Sequence, residues 1–270
     1  MAIDRGGDVP VQAPQMSASA SITSLFSAAA DTYDAGAELQ RVVAETLARK
    51  IKALPRPAAS KGPPKILEVG CGTGVLTRAL ADQITGAWTV TDIAAPMVAR
   101  CERALATSLP GARFMVMDGT APALAPGFDV ICSSMALQWF EDPGRAIGRL
   151  SALLNRGGHL AFATLGPDTF EEWQAACALS GVAAPTRRLP SAEDFQNNTP
   201  HGFAFRAEKA VFRRTYANGW DFLQRLREIG AHRAVPEAEP LPAGALRKVL
   251  RATDAPFTVS YDVIYGFISR

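Results

Sequence analysis

Glu68-Val69-Gly70-Cys71-Gly72-Thr73-Gly74 is the stretch on which the fold turns. It ends a short apolar run, Lys65–Val69, and opens a helical pattern over Val75–Gln83. Glycines let a backbone turn tightly and come close to a ligand. The helix start that follows offers N–H groups without intrahelical partners. Strand, glycine loop and helix in that order commonly hold a dinucleotide pyrophosphate when the spacing is GxGxxG. Here the third glycine comes one residue early, giving GxGxG at Gly70, Gly72 and Gly74, and Glu68 stands two positions before the first. A carboxylate repels a pyrophosphate and attracts an ammonium. The loop therefore matches S-adenosylmethionine (SAM), which carries an ammonium and a sulfonium, better than NAD. The alternative is a loop that is tight for folding alone.

Outward from the loop, strands and helices alternate. Trp88–Ile93 reads as a second strand, with a helix from Pro96 to about Thr107. Arg113–Met117 is a third strand. Phe128–Ser133 is a fourth, followed by a helix over Pro143–Leu154 that Gly157-Gly158 ends, and His159–Leu165 is a fifth. Short apolar strands separated by helices imply a parallel sheet covered on both faces. Past Leu165, Thr169–Ser180 reads as a helix and residues 181–202 as irregular, rich in Pro, Asn and Thr. Two strand-like stretches, Phe205–Tyr216 and Phe257–Ile268, flank two helices, Gly219–Ile229 and Pro242–Ala252. Upstream, Leu39, Val42, Val43, Leu47, Ile51 and Leu54 recur at helical spacing. The expected fold is α/β: a doubly wound, mostly parallel seven-stranded sheet, with a helical N-terminal segment and a helical insertion before the last strand. Residues 1–20 read as a disordered tail and 21–270 as one domain. Within it, 22–54 form a helical cap, 65–165 the cofactor-binding core, 166–256 the substrate-side elements and 257–269 the last strand.

Further acidic positions fall in register with Glu68. Asp92 ends the second strand, where a carboxylate receives both ribose hydroxyls or else caps the next helix. Asp118-Gly119 follows the third strand. Asp118 suits the adenine amino group, and it equally suits a tight Asp-Gly turn. Ile93 and Met97 beyond the second strand, and Ser133 at the end of the fourth, complete the candidate cofactor set.

Composition limits the rest. Nearly half of the 270 residues are apolar and a fifth are charged, enough for a sizeable core. A net charge of +2 gives no support to wholesale nucleic-acid binding. Cys71, Cys101, Cys132 and Cys177 form no C-x-x-C pair, which points to a reduced, cytoplasmic protein. No apolar run approaches the roughly 20 residues that span a bilayer.

The Glu68–Gly74 loop resembles the first motif of the class I SAM-dependent methyltransferases, and Asp92, Asp118 and the 133–138 edge resemble the next three. A closer resemblance runs further. Phe26-Ser27-Ala28-Ala29-Ala30-Asp31-Thr32-Tyr33-Asp34, followed by Leu39-Gln40-Arg41, is similar to the N-terminal segment of the malonyl-[acyl-carrier-protein] O-methyltransferases of biotin synthesis. Met135-Ala136-Leu137-Gln138-Trp139, Phe162-Ala163-Thr164-Leu165 and Arg187-Arg188-Leu189-Pro190-Ser191 also fit that family, the last preceding a short helix. The long N-terminal tail and the proline linker at 55–64 depart from its pattern.

The resemblance implies a Rossmann-like fold and methylation of the free carboxylate of a malonyl thioester. The donor is SAM, and the acceptor is carried by acyl carrier protein or by CoA. It implies that Arg187, or Arg188 beside it, holds that carboxylate, and that Tyr33 closes the cofactor pocket. Each of the three has a plainer reading, the arginines as solvated surface and Tyr33 as a packing aromatic. A carboxylate is ionised at neutral pH and needs no base. His159, His201 and His232 are accordingly assigned structural roles. An acidic carrier suits a basic face, and Arg206, Lys209, Arg213, Arg214, Arg225, Arg227, Arg247, Lys248 and Arg251 all lie in the second half. The competing readings are a methyltransferase for another small acid and a SAM-binding adaptor without catalysis.

Overall fold

A computed structural model of the chain describes residues 38–55, 62–228 and 241–270. The expectations for the N-terminal tail, for Tyr33 and for His232 lie outside these residues.

The chain runs through α1 (Glu38–Lys52), β1 (Lys65–Val69), α2 (Val75–Ala81), β2 (Ala87–Asp92), α3 (Ala95–Leu105) and β3 (Arg113–Val116). It continues through β4 (Phe128–Ser134), a 3₁₀ turn (Leu137–Trp139), α4 (Pro143–Ser151) and β5 (Leu154–Leu165). The last part holds α5 (Glu171–Leu179), α6 (Ala192–Asn197), β6 (Ala204–Tyr216), α7 (Gly219–Glu228), α8 (Ala243–Ala252) and β7 (Phe257–Ser269). The seven strands form one sheet in the order β3-β2-β1-β4-β5-β7-β6. Pairing is parallel from β3 to β5, and β7 runs antiparallel to both its neighbours. Strand order reverses between β1 and β4, so their carboxyl ends diverge and leave a crevice there.

Consecutive residues of β1 face opposite cores, as a sheet covered on both sides requires. Ile66 packs with Val43, Leu47 and Ile51 of α1 and Leu80 of α2, whereas Leu67 packs with Ile147 and Leu150 of α4. A third cluster covers the carboxyl end of β6 and the amino end of β7, where Phe222 of α7 touches the rings of Phe170, Trp173 and Tyr216 at 5.2, 5.5 and 5.3 Å.

One boundary differs from the sequence reading. Gly157-Gly158 lies inside β5 and does not end a helix. Pairing advances from Phe128 to Val130 on β4 while it advances from Leu154 to His159 on β5, so the glycines take up a bulge. Gly157 sits at φ 76°, and a Cβ on Gly158 would meet the Asp129 and Phe128 carbonyls at 3.1 Å. Arg270 brackets the bulge by backbone bonds to both glycines. His159, just past it, is held by Ser269 Oγ at 2.9 Å and the Pro55 carbonyl at 2.8 Å, a structural role. Among the described residues no helix is long and apolar enough to cross a membrane.

Candidate active site

The carboxyl ends of β1, β2 and β4 border a cavity of about 460 Å³. The glycine loop forms its floor. Gly70 N and Cys71 N both donate to the Thr91 carbonyl, at 2.8 and 2.9 Å, which ties the loop to β2. Each glycine then has its own reason. Gly70 sits at φ 75°, and a Cβ there would lie 2.4 Å from Ala136 Cβ. Gly72, at φ 52°, has nothing within 4 Å of a built Cβ and lines the open cavity. Gly74 does not line the cavity. A Cβ there would meet Cys101 Sγ at 2.9 Å, so this glycine lets α3 pack against the start of α2.

Glu68 is 1 % exposed, and its Oε2 has no hydrogen-bond partner. Burial pushes its pKa well up, and the Cys101 thiol and Asp92 push the same way against hydrogen bonds from Thr77. Burial of this kind favours the proton on the carboxyl, and a cation at Oε2 favours its loss. Asp92 lines the cavity beside it. Its Oδ2 accepts from Gly72 N at 2.8 Å and its Oδ1 from Ala94 N at 2.9 Å. Asp92 thus pins the glycine loop and the turn into α3, and each of its oxygens keeps a further lone pair. Burial also raises its pKa, opposed by those backbone donors. Asp118 makes the Asp-Gly turn, its Oδ1 accepting from Thr120 N at 2.8 Å and Thr120 Oγ1 at 2.7 Å, and it lines the cavity with Gly119, Ile93 and Met97.

Besides Gly74, two more candidates fall outside the cavity lining. Ser133 does not face the cavity, because its hydroxyl donates to the Val69 carbonyl at 2.8 Å and locks β4 to β1. The alternation of a strand turns its neighbour Ser134 inward instead. Arg187 is half-buried behind the wall. Nη1 donates to the Trp139 carbonyl at 3.2 Å and Nη2 to that of Phe140, both residues of the cavity lining. Desolvation lowers its pKa, and Glu141 opposes that. Arg188 points to solvent, 89 % exposed and 3.7 Å from Asp194. The structure therefore separates two arginines that the sequence left equivalent.

Sequence reasoning missed Gln40, Arg145 and Arg149, which also line the cavity. Arg145 and Arg149 stand one turn apart on α4, and Arg149 Nη1 donates to the Thr120 carbonyl. Only their spacing hinted at a shared face.

The site suits a cationic amino-acid ligand on a nucleoside. Glu68 Oε2 is an acceptor without a donor, and Gly72 leaves room for close approach. The profile of the family described as "Methyltransferase domain" matches residues 66–158. The malonyl-[acyl-carrier protein] O-methyltransferase of Magnetococcus marinus is 42 % identical over 243 residues, covering 88 % of this chain and 88 % of that protein. The biotin biosynthesis bifunctional protein BioCD of Bordetella avium is 42 % identical over 249 residues, 91 % of this chain and 51 % of that longer protein. Among solved structures, the plantazolicin methyltransferase BpumL in complex with SAH aligns with a TM-score of 0.53 at 16 % identity, covering 94 % of this chain and 95 % of that one. The YcgJ protein of Bacillus subtilis gives 0.58 at 15 % identity over 84 % and 97 %. These two likenesses concern the fold.

Proposed function

The chain belongs to the malonyl-[acyl-carrier protein] O-methyltransferase family, and from that membership we propose that it methylates the free carboxylate of a malonyl thioester on acyl carrier protein, early in biotin synthesis. It is a SAM-dependent methyltransferase. The observation that carries the site assignment is Glu68 Oε2, buried and unpartnered beside the open face of Gly72.

When bound, SAM supplies a methyl group on a sulfonium, which a carboxylate oxygen takes in line while a neutral thioether leaves. The chain's work is to hold, orient and exclude water. Glu68 receives the ammonium, Asp92 the ribose hydroxyls, and Asp118 with Gly119 borders the adenine. No residue needs to remove a proton, since the acceptor is already ionised. Among the described residues no histidine lines the cavity, and the titratable groups that do are acids, a thiol and arginines. A malonyl carboxylate entering such a wall needs a cation nearby, and Arg187 is the candidate.

Glu68 gives this reading a pH signature. Its raised pKa means that the ligand-free fold is stabilised by the proton. That contribution is complete below the ordinary carboxylate pKa and is lost as pH rises through the shifted value. Binding of an ammonium runs the other way, because the proton must leave first. Affinity for S-adenosylhomocysteine, which keeps the ammonium, is expected to improve by up to about tenfold per pH unit until Glu68 is ionised. Glu68→Gln flattens this slope. Calorimetry across pH reads both, and a flat wild-type profile overturns the exchange of a proton for an ammonium at Glu68.

The carrier would dock through a basic surface, and the ion pairs already made favour some of the basic side chains over others. Arg206 pairs with Glu208, Lys209 lies 3.5 Å from both Asp168 and Asp262, Arg214 pairs with Glu38, and Arg225 with Asp221 and Glu228. Arg247, Lys248 and Arg251 are exposed on α8, and residues 241–252 contain no acid. Changing these three together to glutamate is expected to raise KM for malonyl-carrier by about tenfold or more at low salt while leaving malonyl-CoA within about twofold. Methyl transfer to malonyl-carrier, malonyl-CoA and free malonate, measured side by side, tests the acceptor. An equal loss on carrier and CoA places docking elsewhere, and no transfer to any malonyl thioester sinks the acceptor assignment.

A further inference from the structure

Gln40 lines the cavity from α1, together with Ala44 one turn on. Its Oε1 is buried and has no hydrogen-bond partner. A buried amide oxygen without a donor is unfavourable in the free protein, and a ligand that brings a proton to it is favoured. Two further side-chain oxygens lining the same cavity are in that state, Glu68 Oε2 and Ser134 Oγ. The other buried orphans, such as Trp88 Nε1 and Tyr265 Oη, do not line it.

The topology places Gln40 in the cavity. α1 packs against α2, β4 and β5. It thus approaches from the β4 side, while Asp92 and Asp118 follow β2 and β3 on the other side of β1. On the reading above, those two acids border the ribose and the adenine. The amino-acid end of the cofactor then falls toward Glu68, Ser134 and Gln40. Chemistry distinguishes the ligands that could meet Oε1 there. A free carboxylate has no proton to donate to it, whereas an ammonium has three.

We propose that Gln40 is a specificity residue for the amino-acid end of SAM, its Oε1 accepting from the ammonium that Glu68 also receives. α1 then holds the amino-acid end of the ligand and leaves its nucleoside to the sheet edge. This rests on the cofactor assignment and is independent of the malonyl acceptor.

The test is equilibrium binding by calorimetry with two ligands. S-adenosylhomocysteine has the amino-acid end, and 5′-methylthioadenosine has the nucleoside and thioether without it. Gln40→Met keeps side-chain length and removes the acceptor. It is expected to weaken S-adenosylhomocysteine by roughly fivefold to fiftyfold and to leave methylthioadenosine within about twofold. Gln40→Glu keeps an acceptor and is expected to stay within about threefold of wild type for S-adenosylhomocysteine at neutral pH. Equal weakening of both ligands by Gln40→Met means that Gln40 only packs α1, and overturns the proposal. So does no weakening, or a Gln40→Glu loss as large as that of Gln40→Met. If malonyl thioesters prove not to be methylated while the two ligands are still discriminated as expected, this inference stands and the acceptor assignment falls.

Discussion

Gly72→Val is expected to weaken S-adenosylhomocysteine by at least about a hundredfold, ~2.7 kcal/mol, in a protein that remains folded. The three glycines of the loop make this a sharp test because only at Gly72 would an added side chain project into the cavity without first meeting a neighbour among the described residues. A side chain at Gly70 meets Ala136 Cβ at 2.4 Å, and one at Gly74 meets Cys101 and Leu105. Changes at those two positions damage packing before they touch a ligand. At Gly72 nothing among the described residues lies within 4 Å of a new Cβ, so valine projects into the volume the cofactor would occupy. The backbone there sits at φ 52°, which costs a non-glycine residue about 1–2 kcal/mol. Gly72→Ala carries the same backbone cost with a single carbon, and separates strain from occlusion. Thermal unfolding should show a few degrees' loss in both variants, whereas calorimetry should show binding surviving only in Gly72→Ala. Binding by Gly72→Val within about threefold of wild type would place the ligand away from this loop.

The fold was legible wherever short apolar runs alternated with helical periods. All five parallel strands were located to within a residue or two, apart from the start of β5. That miss came from reading Gly157-Gly158 as a helix stop. Glycine both ends helices and absorbs bulges, and only the pairing of β5 with β4 and the bonds from Arg270 decide between them. In the site, the acids on successive strand ends were legible because strand order and chain order agree at that edge. Ser133 and Ser134 were not separable, since a one-residue difference in where β4 ends exchanges the two faces. Arg145 and Arg149 belong to a helix whose rotation about the sheet is set by packing, so no local motif marks them, and Gln40 stood inside the Leu39-Gln40-Arg41 resemblance with no site role attached to it. For Arg187 the sequence supplied a candidate and a neighbour of equal standing, and the long-range bonds to Trp139 and Phe140 supplied the distinction.

Arg187→Ala is expected to lower kcat/KM for malonyl thioester by at least about tenfold, ~1.4 kcal/mol, with a smaller effect on cofactor affinity. A guanidinium has five N–H groups. The bonds to the Trp139 and Phe140 carbonyls hold the group against the cavity wall and do not exhaust its donors. Half-burial strengthens any charge it offers, and a malonyl carboxylate leaving water needs such a partner. Lysine cannot reproduce a planar fork that braces two carbonyls while facing an anion, so Arg187→Lys should recover only part of the loss. Arg188→Ala should change little, because that side chain is in solvent. A thioester without a free carboxylate, such as acetyl carrier or the malonyl methyl ester, should not be methylated by any of these proteins. The division of the loss identifies the role. If Arg187→Ala raises the dissociation constant of S-adenosylhomocysteine as much as it lowers kcat/KM, Arg187 is a strut for the Trp139–Phe140 wall. If the loss falls on the malonyl substrate and disappears for acceptors that lack the carboxylate, Arg187 holds the acid.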